Sequence, residues 1–209
     1  MKVLLKILAI CFSAQTWAVV AQTTTITFDD LPAGIPPVPP PGTYPAVPAG
    51  YHGFQWFNFE VADETDSPIL SGAINGIVSP KNVVFNARGN PADFSSAAAF
   101  DLNSAYLTAI WNDGLQVEVQ GFAGTTLIYD NIYTINTSAP VLENFNYIGV
   151  TEVNFISSGG THNPAYGGGA GTQFAMDNLT VTTIPEPGIL GLLLSSAFVF
   201  FLKRNRTNV

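Results

Sequence analysis

From residue 23 onward, apolar and polar side chains alternate in short runs, the period of half-buried strands and not of helices. Residues 23–29 place Ile26 and Phe28 on one face, and residues 54–61 form an aromatic run with both faces partly apolar. Phe100, Leu102, Tyr106 and Ile110 share one parity, and Leu115, Val117 and Val119 alternate with Gln116, Glu118 and Gln120. Further strands are expected at 125–129, 132–137, 144–148, 153–157, 173–176 and 179–183. No stretch of the body sustains an apolar 3.6-residue period. Many short strands separated by turns such as Asn112-Asp113-Gly114 and Phe122-Ala123-Gly124 predict an all-β, antiparallel β-sandwich.

Two segments interrupt the alternation. Eight of the seventeen residues in 32–48 are proline, which favours a stiff, solvated polyproline loop between the first two strands over a packed element. Six glycines in 159–171, with His162, Asn163 and Tyr166 among them, predict a loop feeding the last hairpin. It has neither the Lys-Ser/Thr pair nor the following helix that phosphate cradling uses.

Charge changes the picture once it is divided by position. The 209-residue chain has a formal charge of −8, but residues 22–184 carry fourteen acids against Lys81 and Arg88, so the body stands at −12 and the ends at +4. Such a body repels phosphate backbones, which excludes nucleic acid as a partner. Lys2 and Lys6, the apolar stretch 7–12 and small residues up to Ala21 are the parts of a secretory signal peptide over 1–21. Cleavage there would remove Cys11, the one cysteine, and leave a body with no thiol or disulfide chemistry.

At the other end, Pro185-Glu186-Pro187 precedes an apolar run at 188–202 and the basic cluster Lys203-Arg204-Asn205-Arg206. The run is short for a span, and its basic flank would face the cytoplasm. This tripartite tail, over 184–209, resembles the PEP-CTERM sorting signal. The resemblance implies an exosortase as transient partner, a single transmembrane sorting helix at 188–202, passage through the inner membrane of a Gram-negative bacterium, and release to the cell surface or the extracellular polysaccharide matrix. A permanent single-pass anchor is the alternative.

The body, 22–183, carries a second resemblance. Phe28-Asp29-Asp30-Leu31-Pro32 at its start and Met176-Asp177-Asn178-Leu179 near its end are similar to the opening and closing elements of many secreted bacterial and fungal domains. The version of the sandwich this implies is a jelly roll of the galactose-binding type.

Candidate chemistry is sparse. If first and last strands are neighbours, Asp29, Asp30, Asp177 and Asn178 meet at one rim, and hard oxygen donors at that density suit a structural calcium ion. Capping of turns by the same side chains is the competing use. Tyr51, Trp56 and Trp111, with Tyr44 and Tyr166 on loops, are the aromatic planes against which sugar rings pack. Asn112 and Asp113 beside Trp111 are placed to read hydroxyls. Trp56 in its aromatic strand also fits a core position. His52 and His162 are the only histidines and no Gly-x-Ser-x-Gly elbow occurs, so an enzyme has little support in the sequence, although a glycosidase needs only two carboxylates. The expectation is a noncatalytic exported protein that binds or organises extracellular polysaccharide. The alternatives are an inert structural or adhesive matrix protein and a glycosidase.

Overall fold

Two strands are far longer than the alternation predicts, and their length sets the architecture. The computed structural model describes residues 20–34, 44–65, 67, 69–167 and 169–184. Its strands are β1 (Gln22–Ile26), β2 (Gln55–Phe57), β3 (Phe59–Asp63), β4 (Asn82–Asn86), β5 (Ala92–Ala109), β6 (Asn112–Ala123), β7 (Thr126–Ile135), β8 (Val141–His162) and β9 (Phe174–Thr183). Every named pairing is antiparallel. The first half of β5 pairs with β2 and with the second half of β8, which in turn pairs with β6, and β6 with β7. The second half of β5 lies between β9 and the first half of β8, while β9 takes β4 and then β1 on its other side. β5 and β8 therefore pass from one sheet to the other, changing register between Ser95 and Phe100 and again around Val150. Strands that switch sheets at bulges make the corners of a sandwich.

The two sheets meet through aromatic side chains. Phe155 of one sheet lies 5.8 Å from Phe174 and 5.9 Å from Phe59 of the other. Phe94 stacks on Phe100 at 5.5 Å across the bend in β5. The expected antiparallel sandwich is thus present, with several differences of detail. The aromatic run 54–61 is two strands, because Asn58 takes a left-handed conformation (φ 57°). Its side-chain amide donates to the carbonyls of Ala87, Asn90 and Pro91. β2 joins one sheet and β3 the other, so Asn58 is a corner. The parity over 100–110 also breaks: bulges after Leu102 and Ser104 turn Tyr106 outward and bring Ala105 and Leu107 into the core.

β4 lies where no strand was expected, and its alternate residues serve two cores. Val84 joins the main core, and Val83 faces a smaller cluster on the outside of the sheet with Ala62, Ile110 and Ala175. Phe85, Tyr44 and Trp111 pack against that outer cluster.

The expected C-terminal transmembrane helix is a correction. No helix among the described residues is long and apolar enough to cross a membrane. Segment 188–202, the motif residues Pro185, Glu186, Pro187, Lys203, Arg204 and Arg206, and signal-peptide residues 1–19 lie outside the described residues.

Candidate functional site

The first and last strands are neighbours, β1 against β9, as the rim hypothesis required. The acids there are nonetheless turned to backbone donors. Asp29 Oδ1 accepts the N–H groups of Lys81 and Asn82 at 3.1 and 3.0 Å. Asp177, fully buried, accepts the N–H groups of Val78 and Ser79 on Oδ2, and the Ser79 hydroxyl and Asn178 N–H on Oδ1, at 2.7–2.8 Å. Burial pushes the Asp177 carboxyl above the usual range, with these donors pulling the other way. Asp30 takes the Tyr51 hydroxyl at 2.6 Å, and burial followed by that bond pushes the Tyr51 phenol well up. Among the described residues no three His, Cys, Asp or Glu side chains gather as a metal site. Asn178 contributes a left-handed backbone (φ 49°), and its Oδ1, like Asn82 Oδ1, is buried without a partner. The carboxylates do not form a calcium cage: both oxygens of Asp177 already accept N–H and O–H donors, and Asp29 and Asp30 each turn Oδ1 to a different element. Asp29 and Asp177 hold the loop 78–82 at the point where β9 exchanges β4 for β1 as its partner, and Asp30 holds Tyr51.

The aromatic candidates separate into two groups. Trp56 is stacked 4.9 Å from Phe94, edge-on to Phe28 and Phe59, and donates its indole N–H to the Tyr51 carbonyl. Together with Tyr51 it closes the end of the main core. Trp111 is different. It occupies the tight connection between β5 and β6, where three loops hold the backbone: Gly72 N–H donates to Ile110 O, Ile110 N–H to Gln173 O, and Asn163 N–H to Trp111 O, all at 2.9–3.0 Å. Asn112 and Asp113 are spent on this scaffold. Asn112 donates to Gly159 O, while Asp113 receives the Thr137 N–H and hydroxyl and the Asn163 amide. The Thr137 backbone bond, then its hydroxyl, holds the Asp113 carboxyl below its ordinary value. Tyr166 accepts from Asn75 and is likewise structural.

The half-buried Trp111 side chain lines a cavity of about 140 Å³ together with Tyr44, Glu64, Phe85, Ile110 and Gln173. Tyr44 and Phe85 meet edge to face at 5.1 Å. Gly169 lies against the six-membered ring of the indole so closely that a β-carbon there would collide with it. Glu64, just past β3, is only 6% exposed. Burial, followed by the Asp63 charge, pushes its carboxyl upward against the favourable Ser67 hydroxyl. Burial, then the charges of Glu64 and Glu60, pushes Tyr44 up to about 12. Gln173 Oε1 is buried without a hydrogen-bond partner. Of these side chains the sequence pointed to Trp111 and Tyr44. Glu64, Phe85 and Gln173 carried no local signal, since the cavity forms only when the outer face of β4 meets loops distant in sequence.

No known protein family matches the chain, and no curated protein matches it. Among solved structures, it is similar to the CBM22-1 xylan-binding domain from Paenibacillus barcinonensis Xyn10C, with 10% identity, TM-score 0.35, and coverage of 65% of this chain and 88% of that one. It is similar to TmCBM61, solved with β-1,4-galactotriose, at 6% identity and TM-score 0.33, over 68% of this chain and 98% of that one. It is similar also to the arabinose-bound MgGH51 α-L-arabinofuranosidase, at 13% identity and TM-score 0.36, over 67% of this chain and 24% of that one. At these scores any functional reading rests on the site's own geometry. With no family match and no membrane-spanning helix among the described residues, the expected exosortase partner, inner-membrane stage and membrane-anchored localisation are withdrawn.

Proposed function

We propose that this protein is a noncatalytic, exported polysaccharide-binding sandwich whose contact site is the Trp111 pocket. The observation that carries the reading is the placement of a half-buried tryptophan, backed by a tyrosine and a phenylalanine, over a cavity that also presents Glu64 and Gln173. Sugar rings offer C–H faces to such planes, and polar groups beside them fix orientation. A cavity of about 140 Å³ lies below the roughly 300–1,000 Å³ of drug-sized sites. It takes one sugar residue or one substituent, with the rest of the polymer running over the surface. A noncatalytic role is supported by the lining: Glu64 is its one carboxylate among the described residues, whereas glycoside hydrolysis uses two facing each other. Adjacent Asp63 is engaged with the Thr65 N–H and hydroxyl.

Affinity electrophoresis of the intact protein through gels containing soluble polysaccharides tests this. Retardation by at least one polymer, reduced tenfold or more by Trp111→Ala, is expected. Unretarded migration through every polymer would instead favour an inert structural role for the acidic sandwich.

A further inference from the structure

The Trp111 pocket contains a carboxylate, Glu64, with no positive partner among the described residues. Among the described residues the basic side chains are Lys81, Arg88, His52 and His162. Among these described residues none bears on Glu64, and the described charge that does is Asp63, of the same sign. A buried carboxylate without a counter-ion is costly, and it is relieved either by taking up a proton or by pairing with a cation; an ammonium group entering this cavity supplies the second. The walls of the cavity are suited to one. Tyr44, Phe85 and Trp111 bring three aromatic rings to its lining, and ring faces attract ammonium groups. Gln173 also lines the cavity, with its Oε1 buried and without a hydrogen-bond partner.

We infer that the pocket binds the protonated amine of an amino-sugar residue, that is, a hexosamine unit lacking its N-acetyl group within a polysaccharide. This deepens the glycan reading above and rests on it. A primary ammonium has N–H donors for Glu64, whereas a quaternary ammonium has none. An anionic sugar meets the wrong charge twice, at Glu64 in the cavity and in the −12 of the surrounding body. An acetylated amine brings bulk and no charge.

Calorimetric titration of the intact protein with tetramers of β-1,4-linked glucosamine and of N-acetylglucosamine distinguishes the possibilities, with spermidine as a non-sugar amine. The expected result is at least tenfold tighter binding of the glucosamine tetramer than of either other ligand. In Glu64→Gln, which preserves shape while removing the charge, that preference disappears and the fold is retained, as judged by an unchanged or raised melting temperature. Equal or tighter binding of the acetylated tetramer overturns the amine assignment and leaves the glycan reading intact. A preference that survives in Glu64→Gln overturns the role of the carboxylate. Equal binding of spermidine overturns the sugar component, and failure of both tetramers together with every polysaccharide in the gel assay overturns both readings.

Discussion

Asp29 and Asp177, nearly 150 positions apart, hold the same five-residue loop: Asp29 takes the N–H groups of Lys81 and Asn82, and Asp177 those of Val78 and Ser79. Removing Asp177 leaves the buried Ser79 N–H without a partner, whereas removing Asp29 frees a Lys81 N–H that water can reach. Asp177→Ala is expected to cost about 2–4 kcal/mol and the less buried Asp29→Ala about 1–2 kcal/mol, both read by urea denaturation. Because the two grip one loop, the double variant should lose less than the sum. Strict additivity would show that each acid acts on its own.

Asn58 offers a test of the corner between β2 and β3. Its left-handed backbone and its three carbonyl contacts are separable by substitution. Asn58→Gly keeps the backbone conformation and loses the contacts, and Asn58→Ala loses both. The alanine variant should be less stable than the glycine one by about 1 kcal/mol. The reverse order in chemical denaturation would place the corner's strength elsewhere.

Acidity is expected to stabilise this protein before it destabilises it. Burial raises the carboxyl groups of Glu60, Glu64, Asp93, Glu143 and Asp177. A raised folded-state value means the folded chain binds protons before the unfolded chain does, so stability increases as pH falls through those values. Asp113, held down by Thr137, works in the opposite sense and loses its contribution below the ordinary carboxylate range of about 4. The melting temperature should therefore rise as pH falls from 7 toward the ordinary carboxylate range and fall again below about pH 4. A continuous decline from pH 7 downward would contradict this.

Gly169 positions Trp111 by leaving room for the indole. In Gly169→Ala the ring must move, so the Trp111 emission maximum should shift, and retardation in polysaccharide gels should weaken with little change in melting temperature. Unchanged fluorescence and binding would mean that the loop, not the ring, yields.

How far the sequence carried the fold depended on whether a signal was local. Leu115, Val117 and Val119 alternate with polar residues through an uninterrupted strand, and all three reach the core. Phe100 to Ile110 misled because bulges at Leu102 and Ser104 reset the face, and a bulge leaves no mark in the side-chain pattern. Residues 144–148 and 153–157 read as separate strands because the bend of β8 between sheets interrupts its alternation while its hydrogen bonding continues. The site divided in the same way. Trp111 stood out as a tryptophan beside a polar turn, but Asn112 and Asp113, which looked like hydroxyl readers, are committed to Gly159, Thr137 and Asn163. Partners dozens of residues away are invisible to spacing.

The pairing of β1 with β9 sets Gln22 opposite Thr183. Partners across an antiparallel ladder have Cα atoms about 5 Å apart. The body could thus be rejoined through a short linker and opened at the Ala123–Thr126 turn between β6 and β7, giving a circular permutant with the same hydrogen-bonded sheets. The same geometry would let the sandwich be inserted whole into a surface loop of a host protein, carrying the Trp111 pocket with it.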